Sequence, residues 1–382
     1  MSRVSKKADA VIIGGGATGL GLAYRLVKKG MKNVVVFERG YIGSGASGRF
    51  PGGVTQQLST KEEITLARNG VKMLERLSPE LNHNIMFRRS GSLNLAFNEG
   101  QVKVLEDSVR LQNLMKVKSR FIGQSEVKKM VPMLDVDKII GAAFCPTDGI
   151  AYPMALLWGY TQAIKREGGK IRAFSEVKGI KVEGGEVKSV ATDNGEIETC
   201  IVVNAAGACS GDVAKMTGLD IPNQVRKQEF LVTEPLSPFL DPFILSPRDD
   251  LWLAQLIRGE TVCSLPSTDD VSLNDTSSSI EFLERIARFL IEIMPQFRDL
   301  KVMRQWAGLY DATPDGKPVL GELDGVKGFI QANGFCGCGL GLPTSAGELL
   351  AVLLVDGKSS PLFKSFRAER FFAEKSKDTS TT

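Results

Sequence analysis

Six residues near the N-terminus have the types and spacing to grip a dinucleotide. Gly14-Gly15-Gly16-Ala17-Thr18-Gly19 is a Gly-x-Gly-x-x-Gly run set between an apolar strand and the start of a helix. In that setting Gly14 permits the tight turn, Gly16 lets the backbone approach a pyrophosphate, and Gly19 lets helix and strand pack closely. The helix start at Ala17 and Thr18 offers free N–H groups and a positive dipole end to the phosphates. Glu38 closes the following strand, where a carboxylate accepts hydrogen bonds from ribose hydroxyls and disfavours a 2′-phosphate. NADP is therefore disfavoured, and both FAD and NAD fit the spacing.

Other reactive residues narrow the chemistry by their scarcity. His83 is the only histidine, and it lies in the polar segment PELNHN. A Ser-His-Asp hydrolase or a metal site built on several imidazoles is excluded. Cys336 and Cys338 are two residues apart, a spacing open to redox or metal chemistry. No second pair exists to complete a zinc site, so they read as small residues filling tight space.

The elements that must position these residues begin with a βαβ unit: strand 9–14, helix 17–30 and strand 34–38. The apolar pattern predicts helices over 62–77, 101–118, 154–169, 280–294 and 345–357. It predicts a strand over 87–97, a chain of short strands over 170–207 and a strand-rich stretch over 228–266. A polar loop covers 269–279. The fold class expected is α/β (α+β overall): a Rossmann-like dinucleotide-binding domain with an inserted antiparallel β-sheet substrate domain. The first takes residues 1–80, 140–215 and 300–370, the second 81–139 and 216–299, and 371–382 form a polar tail.

Composition excludes several classes. The net charge over 382 residues is only +4, with both signs interspersed and no basic stripe carrying aromatics, so no nucleic-acid partner is expected. The longest apolar runs, such as LLAVLLV (349–355), are too short to span a bilayer. The N-terminal apolar run passes straight into the glycine loop, as a first strand does and a signal peptide does not. A cytoplasmic location with six reduced cysteines is expected.

Three further segments carry a family resemblance. The first is GSGASGRFPGGVTQQ (43–57), after Arg39. The second is CIVVNAAGACSGDVA (200–214). The third pairs RQWAGLYDATPDGKPVLGEL (304–323) with GFIQANGFCGCGLGLPTSAGELLA (328–351). Nearly the whole chain resembles the D-amino-acid oxidase/glycine oxidase superfamily of FAD amine oxidoreductases. Within it the chain is most similar to the β subunits of heteromeric sarcosine oxidase and dye-linked L-proline dehydrogenase.

The resemblance implies that the cofactor is FAD, and that the loop from Arg39 through Ser44, Gly45, Ala46 and Ser47 runs along the pyrophosphate to the isoalloxazine ring. Arg49 matches a family arginine near the flavin. It also implies that the backbone at Val177 meets the adenine and that the turn at Ala206 and Gly207 passes beside the cofactor. Gly334, Phe335, Gly337, Gly339 and Leu340 belong to a loop and helix start at the ring's pyrimidine end. Cys338 stands where relatives often carry histidine. No cysteine lies between Cys263 and Cys336, near the Trp306 segment that bears the covalent link in monomeric sarcosine oxidases. FAD is therefore expected to be noncovalent.

The implied activity is oxidation of an amine or amino acid of the L-proline, hydroxyproline or sarcosine class, by hydride transfer to flavin N5. The implied partner is an α-type electron-transfer subunit, with a second flavin, FMN, at the interface. A substrate carboxylate would be met by Arg49, Tyr310 or Gln255, with Arg258 and the Arg226-Lys227-Gln228 cluster as further candidates. Glycine oxidase-like enzymes carry arginine where this chain has Tyr310. Monomeric sarcosine oxidase-like enzymes carry lysine where it has Gly341. These departures keep other readings open: a stand-alone glycine oxidase-like oxidase, a dehydrogenase of a hydroxyl compound such as glycerol 3-phosphate, or a non-catalytic FAD-binding subunit.

Overall fold

The computed structural model describes residues 7–268, 271–273 and 275–372. Its opening unit is strand β1 (Ala10–Ile13), helix α1 (Ala17–Lys28) and strand β2 (Val34–Phe37). Every residue of both strands is buried, which is what continuous aliphatic runs dictate for a parallel sheet covered on two faces. β1 lies in the middle of a six-stranded sheet. On one side it pairs in parallel with β2 and then 170–172. On the other it pairs in parallel with 202–204 and then 329–333, with 319–322 antiparallel at the edge. The chain thus leaves β1 in one direction and returns on the other side, so a crevice opens beyond the carboxyl end of β1, where such sheets bind ligands.

A second, eight-stranded sheet runs in the order 302–312, 224–235, 260–266, 251–255, 243–246, 92–96, 141–145, 120–123. All its pairings are antiparallel except 243–246 with 92–96. Strands 141–145 and 302–312 run in this sheet, although the sequence boundaries assign them to the dinucleotide part. Strand 120–123 and helix 124–130 escape the periodicity, being short and largely exposed at one edge of this sheet. The predicted strand over 87–97 shortens to 92–96, with Arg88 making only an isolated bridge to Ile150.

The last long helix, 341–356, starts four residues before its predicted beginning. Pro343 is tolerated because first-turn N–H groups have no intrahelical partner. The helix packs between α1 and helix 61–81, and the fit depends on missing side chains. A Cβ on Gly70 would lie 2.0 Å from the carbonyl oxygen of Gly341, and one on Gly347 3.0 Å from the Leu22 nitrogen. Gly70→Ala must push the two helices apart. It is expected to cost about 1–3 kcal/mol, read as a lower urea midpoint at unchanged slope.

Among the described residues no helix is long and apolar enough to cross a membrane. The polar tail foreseen from 371 lies, from residue 373 on, outside the described residues.

Candidate functional site

The strands of the six-stranded sheet deliver their following residues to one crevice: Gly14 after β1, Glu38 after β2, and Ala205–Gly207 after 202–204. The turn at Gly14 is possible only without a side chain. Its φ is +121°, and a Cβ there would lie 2.2 Å from the Ala205 carbonyl oxygen. A Cβ on Gly19 would lie 2.0 Å from the Gly14 carbonyl oxygen, so this glycine seats α1 on β1.

The Glu38 carboxylate is held by three donors: Gly15 N–H and Gly40 N–H, each at 2.8 Å, and Ser44 Oγ at 3.1 Å. A carboxylate has about four acceptor positions, so one remains for a ribose hydroxyl.

Side-chain caps are absent at several helix starts, those at 124 and 153 included, but present where three longer helices begin. The helices beginning at 61, 99 and 280 are capped by the side chains of Thr60, Asn98 and Ser279. α1 and helix 341–356 have no side-chain cap on their N-cap residue and no acid in the first turn. Ser47 Oγ accepts from Ala17 N–H at 3.0 Å. The other first-turn donors of these two helix ends have no intrahelical partner and suit a ligand carrying negative charge. Both ends line one cavity of about 740 Å³.

That cavity brings together most of the residues singled out in the sequence. Gly14, Gly16, Ala17, Thr18, Glu38, Arg39 and the stretch Ser44–Ser47 line it, as do Val177, Ala206 and Gly207. Phe335, Gly337, Cys338, Gly339 and Leu340 line it too, together with Arg49 and Tyr310. Gly19 and Gly334 lie just behind the wall. Gly334 turns the chain at φ +70°, where a Cβ would strike Thr313 at 2.6 Å. A phosphate-seeking helix end, a carboxylate at the ribose position and a second uncapped helix start on the same cavity suit a dinucleotide such as FAD.

Gln255 is a correction. It is buried outside the cavity and fully committed to the backbone. Its Oε1 accepts from the N–H groups of Phe239 and Leu240, and its Nε2 donates to the carbonyls of Leu236, Ser237 and Gly259. It braces the loop before strand 243–246 and cannot meet a substrate. Arg258 is exposed beside Glu260. Arg226 is exposed, and Lys227 points to the opposite face, where it pairs with Asp275. Only Gln228 of that cluster lines the cavity, donating to Ser264 Oγ at 3.1 Å.

Arg49 is seated by the Trp-Ala-Gly segment. Trp306 Nε1–H donates to the Arg49 carbonyl at 2.9 Å, and the bare Cα of Gly308 leaves room for the arginine stem. Among the described residues its guanidinium makes one long hydrogen bond, to the Gly45 carbonyl at 3.4 Å. Tyr310, two residues on from Gly308, lies against Gly337. Burial pushes its phenol above the ordinary tyrosine value, so it remains a neutral donor.

The large sheet supplies the opposite wall. Phe230, Ser264, Trp252, Leu245 and Asn94 stand in one register row across five strands and all line the cavity. Sequence reasoning missed this row, because it is assembled from strands whose register the sequence does not reveal. Cys336 Sγ accepts from Thr313 N–H and donates to the Gly334 carbonyl. Cys338 packs on the core, and burial pushes its thiol up to about 12. Among the described residues no cluster of His, Cys, Asp or Glu could hold a metal.

A second missed feature lies beneath the strand Gly53–Val54. Asp148 is fully buried and accepts from Thr55 Oγ1, Gln56 N–H, Gln56 Nε2 and Ser92 Oγ at 2.7–3.1 Å. Burial raises its carboxyl above the usual aspartate range, while these donors oppose the rise. A folded-state pKa above the unfolded one gives a contribution that is full in acid and lost as pH rises through the folded value. Asp148→Asn cannot titrate and strands donors, so it is expected to cost about 1–3 kcal/mol. That cost is expected to be largest at the acid end of a pH series and to shrink toward neutrality. Urea midpoints of both proteins check it; a cost that grew with pH would contradict it.

Comparison with known proteins agrees with this geometry. Residues 9–353 match the DAO family, described as FAD dependent oxidoreductase, and the chain belongs to that family. It is 32% identical to sarcosine oxidase subunit beta of Rhodobacter capsulatus, over 96% of this chain and 89% of that protein. The crystal structure of L-proline dehydrogenase from P. horikoshii superposes with a TM-score of 0.92 at 30% identity, covering 97% of this chain and 99% of that one. Glycine oxidase from Geobacillus kaustophilus shares the fold, with a TM-score of 0.86 at 23% identity over 95% and 99% of the two chains.

Proposed function

We propose that this FAD-dependent oxidoreductase oxidises a small secondary amine bearing a carboxylate, of the L-proline, hydroxyproline or sarcosine class, as the catalytic β-type subunit of a heteromeric dehydrogenase. The observation that carries the reading is the continuity of the cavity. One end is lined by the α1 turn and Glu38, the other by Arg49, Tyr310 and the aromatic row of the large sheet. Noncovalent FAD would be held by the glycine turn, Glu38, the Ser44–Ser47 loop and the start of helix 341–356. When bound, it supplies the two-electron acceptor for a hydride from the substrate Cα.

The chain's own residues do the rest. Arg49 offers a planar fork to the carboxylate, and Tyr310 adds a neutral O–H donor. Phe230 and Trp252 exclude water from the chamber, and the low dielectric that results favours the neutral amine from which hydride can leave. In this reading the six-stranded sheet with its helices is the cofactor domain and the eight-stranded sheet is the substrate domain.

The names of the sarcosine oxidase relatives as subunits support a heteromeric assembly; the α-type electron-transfer partner, with FMN at the interface beside the 336–340 loop, rests on the family resemblance. Six unpaired thiols support a cytoplasmic location. With L-proline or sarcosine, the chain is expected to reduce an artificial dye while consuming oxygen far more slowly. Rapid peroxide formation by the chain alone would favour a stand-alone oxidase instead.

A further inference from the structure

We propose that Asp311 takes up one proton from solvent each time a hydride is delivered into the site, and releases it when the electrons leave. The proposal rests on the reading of the cavity as an FAD site.

Asp311 lies at the end of strand 302–312, is 7% exposed and lines the cavity beside Tyr310 and the 335–340 loop. One carboxylate oxygen, Oδ2, accepts from Gly334 N–H and, at 3.5 Å, from Asn223 Nδ2; among the described residues no other residue donates to Oδ1. Its surroundings are polar but uncharged. Asn223 donates to Asn333 Oδ1 at 2.9 Å, Asn333 to Gln331 Oε1 at 2.8 Å, and Asn204 to the same Gln331 oxygen at 3.0 Å. This amide chain crosses the carboxyl ends of strands 202–204 and 329–333, under the loop that lines the cavity.

The charged and titratable groups that face Asp311 are few. Val225 stands opposite it on the neighbouring strand. The loop contributes Cys336, whose thiol is pushed up by burial and stays neutral, and Tyr310 is likewise neutral. Asp315, farther along the turn, is paired with Arg370. Among the described residues no cation is paired with Asp311, and burial raises its carboxyl above the usual range. Asp148, buried still more completely, has four donors and lies outside the cavity wall. Asp311 is the poorly compensated carboxyl of the two, and the one next to where charge arrives.

The charge balance is simple. A neutral amine that loses hydride leaves as a cationic iminium, so one negative charge stays in the site. A neighbouring carboxylate then becomes harder to keep ionised. Asp311 carboxylate plus one proton gives the neutral acid and cancels the added charge. No further oxidant or reductant is consumed.

The test is the pH dependence of the midpoint potential of the FAD-loaded chain, across roughly pH 5–9, which spans the range a raised carboxyl can reach. Two protons per two electrons give a slope of about 59 mV per pH unit, and one proton gives about 30 mV. Protons taken up by the reduced flavin itself are common to both proteins, so the native chain is expected to be steeper than Asp311→Asn by about 30 mV per pH unit over the window between the two pKa values of Asp311. If that variant fails to bind FAD, Asn223→Ala decides. It removes a donor to the charged carboxylate, so the steep window must move to higher pH. Equal slopes in the native chain and Asp311→Asn at every pH, or an unmoved window in Asn223→Ala, overturn the proposal. A chain that takes up no FAD overturns the cofactor reading itself.

Discussion

Arg49→Met is expected to lower kcat/KM for a carboxylate-bearing amine by about 100- to 20,000-fold while leaving the flavin content unchanged. Methionine keeps an unbranched stem over Gly308 and leaves the Trp306 bond to the residue 49 carbonyl intact, since that bond uses backbone. What is lost is the guanidinium, whose one hydrogen bond among the described residues is long, which leaves its donors to a ligand. A hydrogen bond to a charged group is worth about 1.5–3 kcal/mol, and a bidentate pair makes two. Each 1.4 kcal/mol is a factor of ten, which gives the range stated. Pyrrolidine, which lacks the carboxylate, should be turned over almost equally by both proteins. If the variant instead loses flavin, Arg49 belongs to the cofactor.

Gly14→Val is expected to give a colourless chain. The valine Cβ would lie 2.2 Å from the Ala205 carbonyl oxygen, at a φ of +121° that L side chains rarely adopt. Relief requires moving either the β1 turn or the Ala205–Gly207 turn, and both line the cavity. Gly30→Ala is the control. Its φ is +97° but nothing lies within 4 Å of its Cβ, so it carries the backbone strain without the collision. It should lose about 1 kcal/mol of stability and keep its flavin. Flavin absorbance per chain after gel filtration separates the two outcomes.

The cofactor end of the site was legible because its determinants are local. Gly14, Gly16 and Gly19 sit within six residues, and the conformations they permit are intrinsic to the backbone. Glu38 follows one helix later. The substrate end is built differently. Phe230 faces Ser264 and Trp252 faces Leu245 only because strands far apart in the chain pair in one register, and no local pattern announces that register.

The same limit explains the misreading of Gln255. A glutamine in a strand-rich segment looks available for binding until the loop at 236–240 and the Gly259 carbonyl are found to saturate it. Strand alternation could have divided Arg226-Lys227-Gln228 in advance, since successive side chains point to opposite faces. Asp148 and Asp311 carried no signal, because their partners Thr55, Ser92 and Gly334 come from segments distant in the chain.

The central claim is that this chain binds FAD and performs the reductive half-reaction on an amine. It is tested most directly by an anaerobic absorption spectrum of the purified chain, before and after L-proline, sarcosine and glycine are added in turn. A yellow protein that bleaches with L-proline or sarcosine is the predicted result. A flavin-loaded chain that none of the three bleaches, or a colourless chain that added FAD does not turn yellow, would contradict it.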